Sequence, residues 1–219
     1  MKDILSLFGH YQKNLYSAVL TDVLDSMGHR SSALPSNIRP LRPEWKILGR
    51  ATTLCAVGVQ ELPERPYAME LAAIDELKPG DVLVATTQGD YGSSLWGELL
   101  STAALARGAR GVVIDGMTRD VAKIIEMDLP LFAVGFHPLD SKGRLECINR
   151  DRPIQLGLCW VRPGDWIFGD IDGLVVVPAE SAHQAFSLAL EKIKGENKVR
   201  LELAKGRSAQ EVFNEYGIL

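Results

Sequence analysis

Residues 79–120 read PGDVLVATTQGDYGSSLWGELLSTAALARGARGVVIDGMTRD, and this stretch decides the fold. Pro79-Gly80-Asp81 is a turn signal that delivers Val82-Leu83-Val84-Ala85, an apolar run without alternation, as expected of a strand covered on both faces. Thr86 to Leu95 is polar and contains glycine. Trp96, Leu99, Leu100, Ala103, Ala104 and Arg107 then recur at helical spacing, and Gly108 closes the predicted helix. Gly111 to Asp115 reads as a second buried strand. Strand, helix and strand of these lengths predict a right-handed crossover between parallel neighbours. Past the strand, Gly116 to Asp120 carries an adjacent guanidinium and carboxylate, Arg119 and Asp120.

A second unit follows, with a short helix from Val121 to Met127 leading into a strand at Leu131 to Val134, so the core is α/β. Upstream, Asn14 to Met27 carries Leu15, Val19, Leu20, Val23, Leu24 and Met27 near helical spacing, with Gly28 as its C-terminal cap: an amphipathic N-terminal helix. Ser31 to Pro43 reads as irregular, Ala51 to Val57 as a short strand, and Leu71 to Leu77 as helix or turn. Downstream, Pro153 to Trp160, Asp165 to Phe168 and Leu174 to Val177 read as strands. Pro163-Gly164-Asp165 repeats the earlier tripeptide, and a common turn explains it better than an internal duplication. From Pro178 a helix is expected to about Lys205, with Ala182, Ala185, Ala189, Ile193 and Val199 on one side, as an arm that packs against a neighbour. The expectation is one domain over residues 1–219, with its core at about 18–178 and a C-terminal helical arm at about 179–219.

With 219 residues, 46% of them hydrophobic, the chain can bury a sizeable core. A formal net charge of -4 lacks the basic footprint of a protein held by phosphates, so no nucleic-acid partner is expected. Met1-Lys-Asp-Ile-Leu-Ser6 breaks any apolar run with charge, so neither a signal segment nor a membrane span is read there, and the cytoplasm is the expected location. Cys55, Cys147 and Cys159 are far apart and without metal-ligand spacing; they read as free structural thiols.

In a parallel sheet the loops leaving the carboxyl ends of adjacent strands share one edge, where ligands usually bind. Here those loops are Thr86 to Leu95 and Gly116 to Asp120. The first leads to a helix N-terminus, which favours an anion such as a carboxylate. Arg119 suits bidentate contact with a carboxylate or enolate oxygen, and Asp120 suits a hard divalent cation with positions left open. Glu98 lies near the same edge, and the set as a whole suits chelation of a small 2-oxo acid. Plainer readings stand beside this one. An Arg-Asp pair at a helix start is also a capping carboxylate next to a solvated cation, and a first-turn glutamate also complements a helix dipole. Gly89 and Gly92 form no nucleotide-binding fingerprint, Ser93 and Ser94 lack a nucleophile elbow, and His10, His29, His137 and His183 lack ligand spacing. Asp170 and Asp172 fit a turn between strands better than a calcium loop.

Trp96-Gly-Glu-Leu-Leu100, Gly108-Ala-Arg-Gly111, Val113-Ile-Asp-Gly116, Arg119-Asp120, Pro130-Leu-Phe-Ala133 and Gly169-Asp-Ile-Asp-Gly-Leu-Val-Val-Val-Pro178 together resemble the RraA-like family, which includes class II 4-hydroxy-4-methyl-2-oxoglutarate aldolases. The likeness runs from about Ala18 to Arg200. It implies an αββα sandwich of the swivelling β/β/α type, a single domain assembled as a homotrimer or hexamer. It implies that Gly97, Glu98, Leu99 and Leu100 bind the keto acid largely through backbone N–H groups, that Arg119 contacts it, and that Asp120 binds magnesium or manganese. Glu98 would reach water on the cation. A further acid from a neighbouring subunit's C-terminal helix would join, with Glu196 as the candidate.

The implied reaction is carbon–carbon lysis through a pyruvate enolate, by retro-aldol cleavage, by oxaloacetate decarboxylation, or by both. The family also holds regulators that bind and inhibit a ribonuclease without catalysis; the carboxylate of Asp120, which such regulators generally lack, favours the enzyme. A Schiff-base aldolase would need Lys123, which sits among charges with no desolvation to lower its pKa. Two departures from the pattern bear on the substrate tail: Gln88-Gly89 replaces an expected glycine pair, and Val134 stands near a position often held by arginine. The charges of Phe136 to Arg144 suggest contact with a second substrate carboxylate, or simply an exposed hairpin.

Overall fold

The computed structural model describes residues 8–218, so the reading of the first six residues lies outside the described part. The helices are α1 (Phe8–Asn14), α2 (Ser17–Ser26), α3 (Ala68–Asp75), α4 (Glu98–Ala106), α5 (Val121–Glu126), α6 (Ala182–Ala204) and α7 (Ala209–Tyr216). The strands are β1 (Arg39–Pro40), β2 (Ile47–Gly58), β3 (Asp81–Thr86), β4 (Ser94–Trp96), β5 (Gly111–Thr118), β6 (Leu131–Phe136), β7 (Leu145–Arg150), β8 (Ile154–Leu156), β9 (Cys159–Val161), β10 (Trp166–Asp170) and β11 (Gly173–Val177). Among the described residues, no helix is long and apolar enough to cross a membrane.

The main sheet runs β1-β6-β5-β3-β2-β10-β11, with β4 beside β5 and β7 beside β2. Strands β2, β3, β5 and β6 are parallel neighbours, so both predicted crossovers form. The sheet curls almost into a barrel, and its side chains show why. Along β3, Val82 and Val84 face an inner core with Val113, Phe132, Ile167 and Val176, while Leu83 and Ala85 face an outer one with Ala73, Ile74 and Ala104 of α3 and α4. On the far side, Trp166, Phe168, Val175 and Val177 face α2 and α6. The order of layers is helices, sheet, sheet, helices: the αββα arrangement that the resemblance implies.

Both Pro-Gly-Asp tripeptides build the same turn. Gly80 and Gly164 take φ of 94° and 89°, which glycine adopts without penalty. In each turn the aspartate accepts the N–H of the residue three before it, Lys78 to Asp81 at 2.9 Å and Arg162 to Asp165 at 2.8 Å. The turns feed β3 and β10, the two strands flanking the start of β2, so one turn chemistry serves twice.

The helix predicted from Asn14 to Met27 is α2, which starts only at Ser17; α1 precedes it, and the chain breaks between them where Tyr16 turns extended at φ -143°. The cause lies far along the chain. The carboxylate of Asp170 accepts both the N–H and the hydroxyl of Ser17, at 3.0 and 2.6 Å, and so anchors the start of α2. Asp170 is thereby a structural cap, in keeping with the turn reading of residues 169–173. The predicted strand at 153–160 is the β8-β9 hairpin, turning at Gly157 with φ 59°. Of the stripe expected on α6, Ala182, Ala185, Ala189 and Ile193 pack on this chain's own α2, whereas Val199 lies outside that cluster. The three cysteines are free, as expected.

Candidate active site

The carboxyl ends of β3 and β5 do share an edge, and the connection between their loops is specific. β5 extends to Thr118, past the expected end at Asp115, because β4 pairs with it in parallel. The Arg119 N–H donates to Trp96 O at 2.9 Å, and the Thr118 hydroxyl donates to the same carbonyl at 3.2 Å. Trp96 therefore belongs to a strand, not to the helix, and α4 begins at Glu98. The helix face shifts with it: Ser101 and Ala104 are buried, while Leu99, expected inside, is 77% exposed. Ser101 tolerates burial because its hydroxyl accepts Trp96 Nε1–H at 2.8 Å and donates to Gly97 O at 3.0 Å. Ser101→Ala leaves the indole N–H without its acceptor and should cost about 1–3 kcal/mol in urea unfolding. A loss under about 0.5 kcal/mol would mean that the indole finds another acceptor.

At the mouth of this edge lies a cavity of ≈ 270 Å³ lined by Gly97, Glu98, Leu100, Arg119, Asp120 and Asp140, among others. Asp120 takes the left-handed region at φ 58°, which aspartate tolerates better than most residues. It stands at the start of α5 but makes no side-chain cap there. Instead its Oδ2 accepts the Glu98 N–H at 3.2 Å, across the cleft, with Arg119 Nε at 3.9 Å. Gly97 explains how the groups come so close: a Cβ there would sit 2.8 Å from Asp120 Oδ2 and 3.3 Å from Arg119 Cγ. The Glu98 carboxylate is held by the Thr102 hydroxyl at 3.2 Å. Helix geometry leaves the N–H groups of Leu99 and Leu100 without a carbonyl four residues back. The structure thus brings Gly97, Glu98, Leu99, Leu100, Arg119 and Asp120 to one cavity.

Three polar residues of this cavity escape a local reading of the sequence. Asp140 Oδ1 pairs with Arg119 Nη2 at 3.2 Å, and the Tyr67 hydroxyl donates to Asp140 Oδ2. Glu70 of α3 is only 3% exposed; burial first, and the charge of Asp140 second, push its carboxyl up to about 8. Burial and then the bond to Asp140 raise Tyr67 to about 12. A signal existed for Glu70, since Glu70, Ala73, Ile74 and Leu77 fall at i, i+3, i+4 and i+7, placing an acid in the stripe that faces the core. Asp140 comes from the segment read as a source of positive charge toward a second carboxylate; its contribution to the cavity is an acid.

Glu196, expected to reach the site from a neighbouring subunit, accepts the Tyr16 hydroxyl and pairs with Lys192 at 3.4 Å within its own chain. Lys123 is exposed on α5 and does not line the cavity. Neither do Gln88, whose amide meets Cys55 Sγ at 3.6 Å, nor Val134, which packs on the inner core. A larger cavity of ≈ 480 Å³ opens at the opposite edge, beside the start of β3, but there Arg50 pairs with Asp81 and Arg150 with Glu76. Chemistry, not size, favours the smaller one.

Among the described residues no three His, Cys, Asp or Glu side chains gather into a metal cage. Asp120 is instead a single, 42% exposed carboxylate with a second hard oxygen donor, Glu98, beside the same cavity. That donor set fits magnesium or manganese, which one or two carboxylates can hold while water and substrate complete the shell.

A model of the family described as RraA-like, Aldolase/RraA, matches residues 17–176. Protein DlpA of Legionella pneumophila is 29% identical over 207 residues, a match spanning 93% of this chain and 32% of that longer protein. A Halalkalibacterium halodurans protein named "Putative 4-hydroxy-4-methyl-2-oxoglutarate aldolase" is 29% identical over 206 residues, 94% of this chain and 86% of that one. The crystal structure of Streptomyces coelicolor RraAS2, described as an unusual member of the RNase ES inhibitor RraA protein family, is similar at a TM-score of 0.77 and 28% identity, covering 88% of this chain and 96% of that one.

Proposed function

The chain belongs to the RraA-like family, and from that premise we propose that it is a divalent-metal-dependent lyase that breaks a C–C bond in a small 2-oxo acid through a pyruvate enolate. The observation that carries this reading is the meeting of Arg119, Asp120 and the α4 N-terminus at one cavity, with Gly97 keeping clear the space between them. Names of relatives such as the Halalkalibacterium protein support aldolase chemistry.

In this reading Asp120, with Glu98 beside it, holds the cation, which when bound supplies Lewis-acid stabilisation of the substrate's 2-oxo oxygen. The N–H groups of Leu99 and Leu100 and the positive end of α4 receive the substrate carboxylate. Arg119 faces the oxygen on which charge collects as the C–C bond breaks, so its interaction strengthens toward the transition state. Glu98 takes the proton from the 4-hydroxyl, directly or through water, and returns one to C3 of the enolate. Oxaloacetate decarboxylation needs the same enolate stabilisation and no hydroxyl proton. The family resemblance further suggests assembly as a homotrimer or hexamer.

A second reading, a ribonuclease-binding regulator without catalysis, draws on the likeness to RraAS2. The separating experiment measures pyruvate release from 4-hydroxy-4-methyl-2-oxoglutarate, 4-hydroxy-2-oxopentanoate and oxaloacetate after EDTA treatment, with magnesium or manganese restored and a no-enzyme control. Metal-restored turnover of any of the three supports the lyase. Absence of turnover with all three, for protein that folds normally, would sink it and leave the regulator.

A further inference from the structure

An arginine that stabilises developing charge has to stand in place before the charge appears, yet its side chain has many rotamers to lose. Asp140 restrains Arg119 by pairing with Nη2 at 3.2 Å, while Nε lies 3.9 Å from Asp120 Oδ2. The backbone that carries Asp140 is itself tied to the sheet. The Ser94 N–H donates to Leu139 O at 2.9 Å, the Ser94 hydroxyl donates to His137 O at 2.5 Å, and the His137 N–H donates to Thr118 O at 3.1 Å. Arg144 Nη1 donates to the Asp140 carbonyl at 3.1 Å. The second carboxylate oxygen, Oδ2, accepts the Tyr67 hydroxyl, so each oxygen of Asp140 has its own donor.

Tyr67 reaches Asp140 from a strained position. At φ 65° and ψ 2° it takes the left-handed region, which bulky residues rarely adopt, and it opens α3 without a side-chain cap bond. Strain of this kind persists where surrounding contacts over-determine it. The contact found here is the bond to Asp140, and Tyr67, Asp140 and Arg119 all belong to one chain.

Resting on the lyase reading, we propose that Asp140 and Tyr67 are positioning residues that hold the Arg119 guanidinium toward the substrate oxygen on which enolate charge collects. Both act through Arg119, not on the reacting atoms. A mis-set guanidinium still meets the ground-state substrate but loses most where the oxygen becomes anionic, so loosening the pair lowers kcat more than it raises KM.

Steady-state pyruvate release with magnesium, with a melting curve for each protein, tests this on Tyr67→Phe, Asp140→Ala and Asp140→Asn. Tyr67→Phe removes one hydrogen bond to a carboxylate without altering charge and should lower kcat about tenfold. Asp140→Ala lets the guanidinium swing and should lower it about 10²-fold. In both, KM should change by less than about threefold. Asp140→Asn keeps an oxygen acceptor for Arg119 and should recover about tenfold over the alanine variant. Calorimetry on the magnesium-loaded protein adds a readout without turnover: Tyr67→Phe should weaken oxalate, a planar mimic of the enolate, about tenfold while changing pyruvate by under about threefold. Wild-type turnover that the variants leave within about twofold, or losses confined to KM, overturn the positioning and leave the lyase reading intact. A fall in kcat that Asp140→Asn does not recover, with lower melting temperatures for all three variants, also overturns it, since that pattern is structural. No turnover by the wild-type protein overturns the lyase reading; equal weakening of oxalate and pyruvate then overturns the positioning as well.

Discussion

Asp120→Asn should lower metal-dependent pyruvate release by about 10²–10³-fold while leaving thermal unfolding nearly unchanged. The substitution is chosen to keep the fold. Asparagine tolerates the left-handed conformation at φ 58°, and its amide oxygen still accepts the Glu98 N–H. What it removes is the negative charge, and with it the affinity for a hard dication. The side chain is 42% exposed, so the fold gains little from that charge. Steady-state kinetics across a magnesium titration, with a melting curve beside it, read both effects. If the variant keeps more than about a tenth of wild-type turnover at saturating metal, Asp120 is not the metal ligand.

Glu70→Gln should change how stability depends on pH, by an amount that grows to several kcal/mol. The ordinary carboxyl value of 4.5 holds in the unfolded chain, whereas the folded site raises it to about 8. Between those values the folded state binds a proton that the unfolded state does not, so this group's contribution to stability falls as pH rises. The slope is about 1.4 kcal/mol for each unit, beginning near pH 4.5 and levelling above pH 8. Glutamine cannot ionise and lacks the slope. The difference between variant and wild type therefore moves in favour of the variant from pH 5 to about pH 8. Taking that difference cancels the effects of buried groups that Glu70 does not influence, including Asp165 and the Cys159 thiol, both raised by burial. Urea unfolding of both proteins at pH 5, 7 and 9 is the measurement; parallel curves would show that Glu70 ionises freely in the folded protein.

Much of the candidate site was legible because it is local. Gly97, Glu98, Arg119 and Asp120 sit at the ends of elements that turn chemistry and apolar runs mark plainly, and adjacent parallel strands leave their loops no choice but one edge. The helix that carries Glu98 starts later than periodicity predicts, and Leu99 turns outward with it, for an equally physical reason. Periodicity counted Trp96 as helical, but β5 captures it as a strand, and the burial of Ser101 then depends on a hydrogen bond to that indole. The break at Tyr16 was likewise hidden, since Asp170, its cause, is 153 residues away from Ser17 in the chain.

The sequence by itself determined the parallel α/β core, the two Pro-Gly-Asp turns, the free thiols and the pairing of Arg119 with Asp120 at a strand end, because each follows from the chemistry of neighbouring residues. Only the tertiary structure decided that Tyr67, Glu70 and Asp140 line the same cavity as Arg119, and that Ala182, Ala185, Ala189 and Ile193 of α6 pack on this chain's own α2. Those outcomes depend on how far the sheet curls, and curling is set by the sum of packing across three cores. No short window of sequence contains that sum, so neither the charge facing Arg119 nor the burial that holds a proton on Glu70 can be read from one.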